Sequence, residues 1–197
     1  MNAPRRGDAQ RVERVSRALV ERAQQGDRDA YESLARESAR RLYLTAYRIV
    51  RDDDLAEDAT QRTLIAIWQD LPSLRDPDRF DAWTYRMVVR FCREESRRLR
   101  RIGVRVVDIS DVKLAAPDDA AQLSRRDLLD GAFRSLSHDH RVVVVLHHYV
   151  GLSLAEIADI LDVPYGTVGS RLHHALRAMR ASIEAADRMT VAGGHPA

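Results

Sequence analysis

The sequence predicts an all-α protein made of two small helical domains joined by a flexible acidic linker. Apolar residues recur at helical intervals of three and four through most of the 197 residues, and only RVVVVL at 141–146 is ambiguous between helix and strand. Charge is segregated: residues 80–105 contain eight arginines and three acidic residues, whereas 106–130 contain six aspartates and three basic residues. The acidic stretch has no sustained helical stripe, so we interpret it as a linker between two helical blocks.

The composition is typical of a folded cytoplasmic protein. Hydrophobic residues make up 45% and charged residues 31% of the chain, as in globular domains. The longest apolar run is far shorter than the ~20 residues of a membrane helix, and no apolar core of a secretory signal follows the N-terminus. The single cysteine, Cys92, cannot form an internal disulfide, which agrees with a reducing compartment.

The first block predicts four helices. Two of them lie between Ser16 and Val50 and meet at QQGDRDA, where Gly26 breaks the first helix and Asp27 caps the second. The third follows RDDD, has an apolar stripe that includes Trp68, and stops at LPSLRDPDR, which holds two prolines. The fourth begins near Phe80 and ends in the arginine-rich REESRRLRRIGVR.

The second block runs from about Asp127 to Ala186, and we expect the following DRMTVAGGHPA to be a frayed tail. Ser153 and Glu156 have the spacing of a capping box and start a helix. The Pro and Gly of DVPYG end that helix, and a second apolar stripe follows at once. Two short amphipathic helices across a tight turn predict a helix-turn-helix, whose second helix can enter a DNA major groove.

The outer face of this second helix is suited to duplex DNA. Arginines and small hydroxyls bond to phosphates and base edges, and no carboxylate occurs on this face before Glu184. A helical hairpin with a merely solvated face is the alternative. The residues expected to contact duplex DNA are Thr167, Ser170, Arg171, His174 and Arg177.

The fourth helix and the loop before it combine aromatic and basic residues. Single-stranded DNA is bound by aromatic stacking together with positive charge along its backbone. Phe80 and Trp83 also lie on the apolar stripe, so we expect burial for both. The residues expected to contact single-stranded DNA are Arg75, Arg79, Tyr85, Arg86, Arg90 and Arg93.

Four blocks in order resemble the extracytoplasmic-function (ECF) sigma factors, a group within the sigma-70 family. LSLAEIADILDVPYGTVGSRLHHALRAMR resembles their region 4, and ALVERAQQGDRDAYESL, DDDLAEDATQRTLIAIWQDL and FDAWTYRMVVRFCREESRRLRR resemble their region 2. The resemblance covers about residues 17–184. It implies a tail at 1–16, region 2 at 17–101, a linker at 102–126, region 4 at 127–186 and a tail at 187–197.

The resemblance implies a transcription initiation factor that performs no chemistry and uses no cofactor or metal. Such a protein binds the beta and beta-prime subunits of the RNA polymerase core, recognises minus-10 and minus-35 promoter DNA and promotes strand opening. It also implies an anti-sigma factor as a partner and no membrane insertion. The single-strand residues above would then bind the minus-10 element and the duplex residues the minus-35 element. The core-binding positions would be Asp58, Gln61, Arg62 and Ile65.

Some positions depart from the family pattern. Arg62 stands where an acidic residue is usual, and Arg90 replaces a common asparagine. Gly169, His174 and Leu176 replace residues that are often basic. Because fewer phosphate contacts lower both affinity and its salt dependence, region 4 alone should bind DNA weakly.

Two other classes are alternatives from the residues alone. An enzyme or metal site could use the histidines of HDH and the two HH pairs, but adjacent helical residues diverge by about 100 degrees and no Cys or carboxylate completes a set. A free-standing dimeric helix-turn-helix regulator is the second alternative. It gives no role to the arginine-rich and aromatic stretch at 80–105, and binding of duplex operator DNA without polymerase would favour it.

Overall fold

The computed structural model describes residues 15–101 (the N-terminal half) and 128–192 (the C-terminal half). The N-terminal half holds four α-helices, with single 3-10 turns at Leu71–Ser73 and Pro77–Arg79 before the last of them. These helices are α1 (Arg17–Gln24), α2 (Arg28–Val50), α3 (Asp53–Asp70) and α4 (Phe80–Arg101).

The C-terminal half is also helical, and neither described half contains a strand. The all-α prediction is therefore confirmed, including the ambiguous RVVVVL, whose valines and leucine are buried within a helix. Its elements are α5 at 128–134, α6 (His138–Val144) with a π-helical turn at Val145–Tyr149, α7 (Leu154–Leu161) and α8 (Tyr165–Ala192).

Polar side chains cap the helices where the sequence predicted. Asp27 accepts the backbone N–H of Ala30 at 3.0 Å at the start of α2. Ser153 and Glu156 form the full capping box of α7. The backbone N–H of Glu156 donates to Oγ of Ser153 at 3.2 Å, and the backbone N–H of Ser153 donates to Oε2 of Glu156 at 2.8 Å. Gly26 has a φ of +89°, so the turn between α1 and α2 uses a conformation that side-chain-bearing residues rarely adopt.

One apolar core runs through both halves. Leu34, Ile67 and Phe80 of the N-terminal half and Leu146 and Ile157 of the C-terminal half belong to the same cluster and are 0–1% exposed. Helix α4 packs against α7, and α2 packs against α6 and the π-helical turn. We call this packing of the two halves the closed arrangement.

The C-terminal end of α8 differs from the prediction. The helix continues to Ala192, although a frayed tail was expected from Asp187. Nothing in DRMTVA interrupts a helix, because the first glycine after Ala186 is Gly193. The predicted linker at 102–126 lies outside the described residues.

Candidate nucleic-acid interface

Helices α7 and α8 form the predicted helix-turn-helix. Asp162 ends α7 in the left-handed conformation, with a φ of +53°. The N–H of Thr167 donates to the carbonyl of Pro164 at 2.9 Å in the first turn of α8. Val168 and Ala175 are fully buried on the inner side of α8. Three of the five predicted contact residues lie exposed on its outer side, and Thr167 and Arg171 are half-buried; the exposed ones are Ser170, His174 and Arg177.

Arg171 shares one carboxylate with an arginine of the N-terminal half. Its Nη2 lies 3.0 Å from Oδ2 of Asp139, while Nη2 of Arg93 lies 2.7 Å from Oδ1 of the same residue. Burial opposes ionisation of this carboxyl, but the bond from Arg93 and the charges of Arg93 and Arg171 hold the pKa of Asp139 below its usual range. Asp139 therefore connects one predicted minus-10 arginine to one predicted minus-35 arginine.

Two more predicted minus-10 arginines contact the C-terminal half. Arg86 donates to the backbone carbonyls of Asp159 and Ile160, the latter at 3.3 Å, near the C-terminus of α7. A cation is favoured at that end of a helix by the peptide dipoles. Arg79 lies 3.4 Å from the Asp159 carboxylate. In the closed arrangement, protein groups therefore bind Arg79, Arg86 and Arg93.

The remaining predicted arginines of this surface, Arg75 and Arg90, are exposed. The guanidinium of Arg90 lies 4.7 Å from the ring centre of Phe91, and its Nε lies 3.9 Å from Glu94. Both pairs are weak at an exposed site, so a phosphate can displace them.

Tyr85 differs from the expectation that it contacts DNA. Its side chain is 2% exposed, and burial raises the pKa of its hydroxyl to about 12. The buried side of α4 is wider than a single stripe, because α2, α3 and α7 all pack against this helix. Trp83, which the sequence assigned to the core, is half-exposed beside the buried Phe80.

The outward side of α3 presents most of the predicted polymerase-binding residues. Asp58, Gln61 and Ile65 are exposed, and Ile65 retains 56% of its accessible surface. Trp68, expected on the buried stripe, is 57% exposed and contacts the ring of Tyr31 edge-on at 4.5 Å. Its spacing of three from Ile65 and seven from Gln61 is the signal that could have placed it on this outward side.

Arg62, the fourth predicted polymerase-binding residue, pairs with α4 in this structure. Its Nη2 lies 2.6 Å from Glu94 and its Nη1 lies 2.5 Å from Glu95, and the guanidinium lies 4.3 Å from the ring centre of Phe91. These carboxylates neutralise its charge. The basic residue at this position thus connects α3 to α4 through a side chain that remains 40% exposed.

Among the described residues, no three His, Cys, Asp or Glu side chains are placed to hold a metal ion. The same residues include no helix that is both long and apolar enough to cross a membrane. His147, which belongs to one of the HH pairs, has its Nδ1 2.8 Å from the carbonyl oxygen of Leu152.

Comparison with known families identifies the two halves. The family model for sigma-70 region 2 matches residues 34–102, and the one for sigma-70 region 4 matches residues 126–179. Together with the fold, these matches define a sigma-70-type transcription initiation factor.

Similar curated proteins narrow this class. The ECF RNA polymerase sigma factor SigL of Mycobacterium tuberculosis is 33% identical over 75% of this chain and 85% of its own length. The sigma factor CarQ of Myxococcus xanthus is 31% identical over 82% of this chain and 93% of its own. The chain belongs to the ECF group of RNA polymerase sigma factors, and the dimeric-regulator alternative is not favoured.

Solved structures agree with this fold. CnrH in complex with the cytosolic domain of CnrY superposes with a TM-score of 0.63 at 26% identity, covering 86% of this chain and 97% of CnrH. RpoE of Bartonella quintana, in complex with the anti-sigma factor NepR, gives a TM-score of 0.60 at 24% identity, covering 74% of this chain and 91% of RpoE.

Proposed function

We propose that this chain is an alternative sigma factor that acts in the cytoplasm, performs no chemistry itself and gives the polymerase core its promoter preference. The outer surface of α4 and the preceding loop supports this most directly, because five arginines are distributed between residues 75 and 93. Such a surface can follow the backbone of an unpaired DNA strand.

Each surface has a distinct role in this proposal. The outward residues of α3, with Trp68 among them, bind the polymerase core. The arginines of α4 and its loop hold the non-template strand of the minus-10 element, and the half-exposed Trp83 takes the stacking role expected of Tyr85. The outer residues of α8 contact the minus-35 duplex.

The closed arrangement is the resting form in this proposal. The two promoter elements lie roughly 25 base pairs apart, which is about 85 Å at 3.4 Å per base pair. Arg93 and Arg171 bind the same carboxylate, so the closed arrangement cannot reach both elements at once. Separation of the halves would accompany core binding, and an anti-sigma factor would bind and stabilise the closed form.

Run-off transcription with purified core RNA polymerase tests this function. With a pool of genomic promoter fragments, the protein should produce discrete new transcripts. Arg75→Ala combined with Arg90→Ala should abolish them, because both arginines are exposed and available to DNA. Arg36→Ala, an exposed arginine on α2, is the matched control. Specific duplex binding without polymerase, and no transcripts, would contradict the proposal.

A further inference from the structure

Helix α1 is attached to the loop that separates α3 from α4. The side-chain amide of Gln24 donates both of its hydrogens, one to the carbonyl of Leu71 at 3.0 Å and one to the carbonyl of Leu74 at 2.7 Å. These two carbonyls lie at the two ends of the 3-10 turn Leu71–Ser73. A single half-buried side chain therefore bonds to both ends of that turn.

Two further contacts connect the same segment to the end of the loop. Nη1 of Arg17 lies 2.6 Å from the carboxylate of Asp78, within the second 3-10 turn. The backbone N–H of Val15 donates to the Asp81 carboxylate at 3.3 Å, in the first turn of α4. Residues 15–24 thus contact the loop near its start, near its end and just beyond it.

Helix α1 lies outside the residues that define region 2 by family matching, which begin at residue 34. The loop that it contacts carries Arg75 and Arg79, two exposed residues of the proposed minus-10 surface. Leu71 and Pro77 anchor the loop in the core. Between these anchors, the position of Arg75 depends on the backbone that Gln24 holds.

We propose that α1, through Gln24, positions the 71–79 loop for base recognition at the minus-10 element. Gln24 touches no DNA and acts through the loop. It contributes by ordering the loop before DNA arrives, since a loop that is already ordered loses less conformational entropy on binding. This inference rests on the proposed function of the loop and adds α1 to the elements that determine promoter preference.

The donor chemistry of this position gives a specific test. A glutamate is the same size as glutamine, but its carboxylate has no hydrogen to donate and would face two carbonyl oxygens. A lysine ammonium has three donors and can serve both carbonyls. Gln25 is the adjacent residue, of the same type but exposed, so Gln25→Ala is a matched control.

The experiment uses the full chain assembled with core polymerase. Transcription is measured on a promoter with its preferred minus-10 sequence and on single-base variants of it, and the ratio of the two rates is the readout. We expect Gln24→Glu to lower this ratio by at least about fivefold, the lower limit that the loss of two hydrogen bonds predicts. Gln24→Lys should restore most of the ratio, and Gln25→Ala should leave it unchanged.

The outcomes separate this inference from the proposed function. A Gln24→Glu protein with a lower melting temperature but an unchanged ratio would overturn the positioning role, because a purely structural residue would give that result. If the unmodified protein transcribes the preferred promoter and its minus-10 variants at equal rates, both the proposed function and this inference are wrong. Should Gln24→Glu not fold, Arg17→Ala tests the attachment of α1 to the loop, since it removes the ion pair to Asp78 together with a pair to Glu21 within α1, and the Arg17 side chain is 53% exposed.

Discussion

Arg93 of α4 and Arg171 of α8 bind opposite oxygens of one carboxylate, that of Asp139. The two arginines belong to different halves of the chain and to different proposed DNA surfaces. Under the proposed function, whichever surface binds DNA first must give up its pair with Asp139, so the carboxylate would compete with phosphate on both surfaces.

Replacing Asp139 should release both arginines. We expect Asp139→Asn to tighten binding of the free protein to a single-stranded minus-10 oligonucleotide by about twofold to fivefold, as the loss of one partly exposed ion pair, that of Arg93, predicts. Fluorescence anisotropy at fixed salt measures this. Glu184→Gln removes the same charge from an exposed site later on α8 and should change affinity little. Equal effects of the two variants would contradict a specific competition by Asp139.

Arg62 should matter for stability more than for polymerase binding. Its guanidinium pairs with Glu94 and with Glu95, whose side chain is only 8% exposed. Arg62→Gln should lower the free energy of unfolding by about 1 kcal/mol, a value reduced for the partial exposure of Arg62. A shift of the urea midpoint at constant m-value would measure it.

Gln61 provides the contrast to Arg62 on the same helix. It is exposed on the outward side of α3, so Gln61→Ala should leave the urea midpoint unchanged while weakening core binding. If Arg62→Gln instead left stability unchanged and weakened core binding, the pairing with α4 would not be the main role of Arg62.

Trp68 should be a major contributor to polymerase binding. Large aromatic side chains that become buried at an interface contribute much of its binding free energy, and Trp68 is 57% exposed next to Ile65. We expect Trp68→Ala to weaken core binding by more than about tenfold, measured by competition with a reference sigma factor. Trp83→Ala is the matched control, because it removes the same type of side chain from α4 instead of from the core-binding side of α3. A loss of less than about twofold for Trp68→Ala would exclude it from the contact.

Cys92 should resist alkylation in the folded protein. It is fully buried, and burial raises the pKa of its thiol to about 12, so almost no thiolate forms at pH 8. Iodoacetamide should label it slowly in buffer and quickly in urea. Because the unfolded thiol ionises near pH 8.5, the stabilisation linked to this group is complete below that pH and declines as pH rises towards 12. Rapid labelling of the native protein would show that this part of α4 opens.

Local chemistry made the helices predictable. The capping contacts of Asp27, Ser153 and Glu156 join residues fewer than four positions apart, so the spacing in the sequence is enough to predict them. The helix-turn-helix followed from the same kind of signal at DVPYG. Long apolar stripes predicted the other helices, because a helical period persists over many residues.

Contacts between distant residues were not predictable in this way. Arg62 meets Glu94 and Glu95 across more than thirty positions, and no periodicity encodes that pairing. Tyr85 is buried where α4 packs against distant elements: the guanidinium of Arg41 on α2 lies 5.8 Å from its ring centre, and Tyr149 of the other half lies close enough to affect the pKa of its hydroxyl. The sharing of Asp139 depends on the same packing, so only the folded chain shows it.

The apolar core shared by the two halves also makes the closed arrangement respond to temperature. Separating α7 from α4 brings buried side chains such as Ile157 into water, and hydration of apolar surface has a large positive heat capacity. The free energy that holds the halves together must then pass through a maximum and decrease on both cooling and heating. Temperature alone would thereby change the fraction of molecules whose arginines are free.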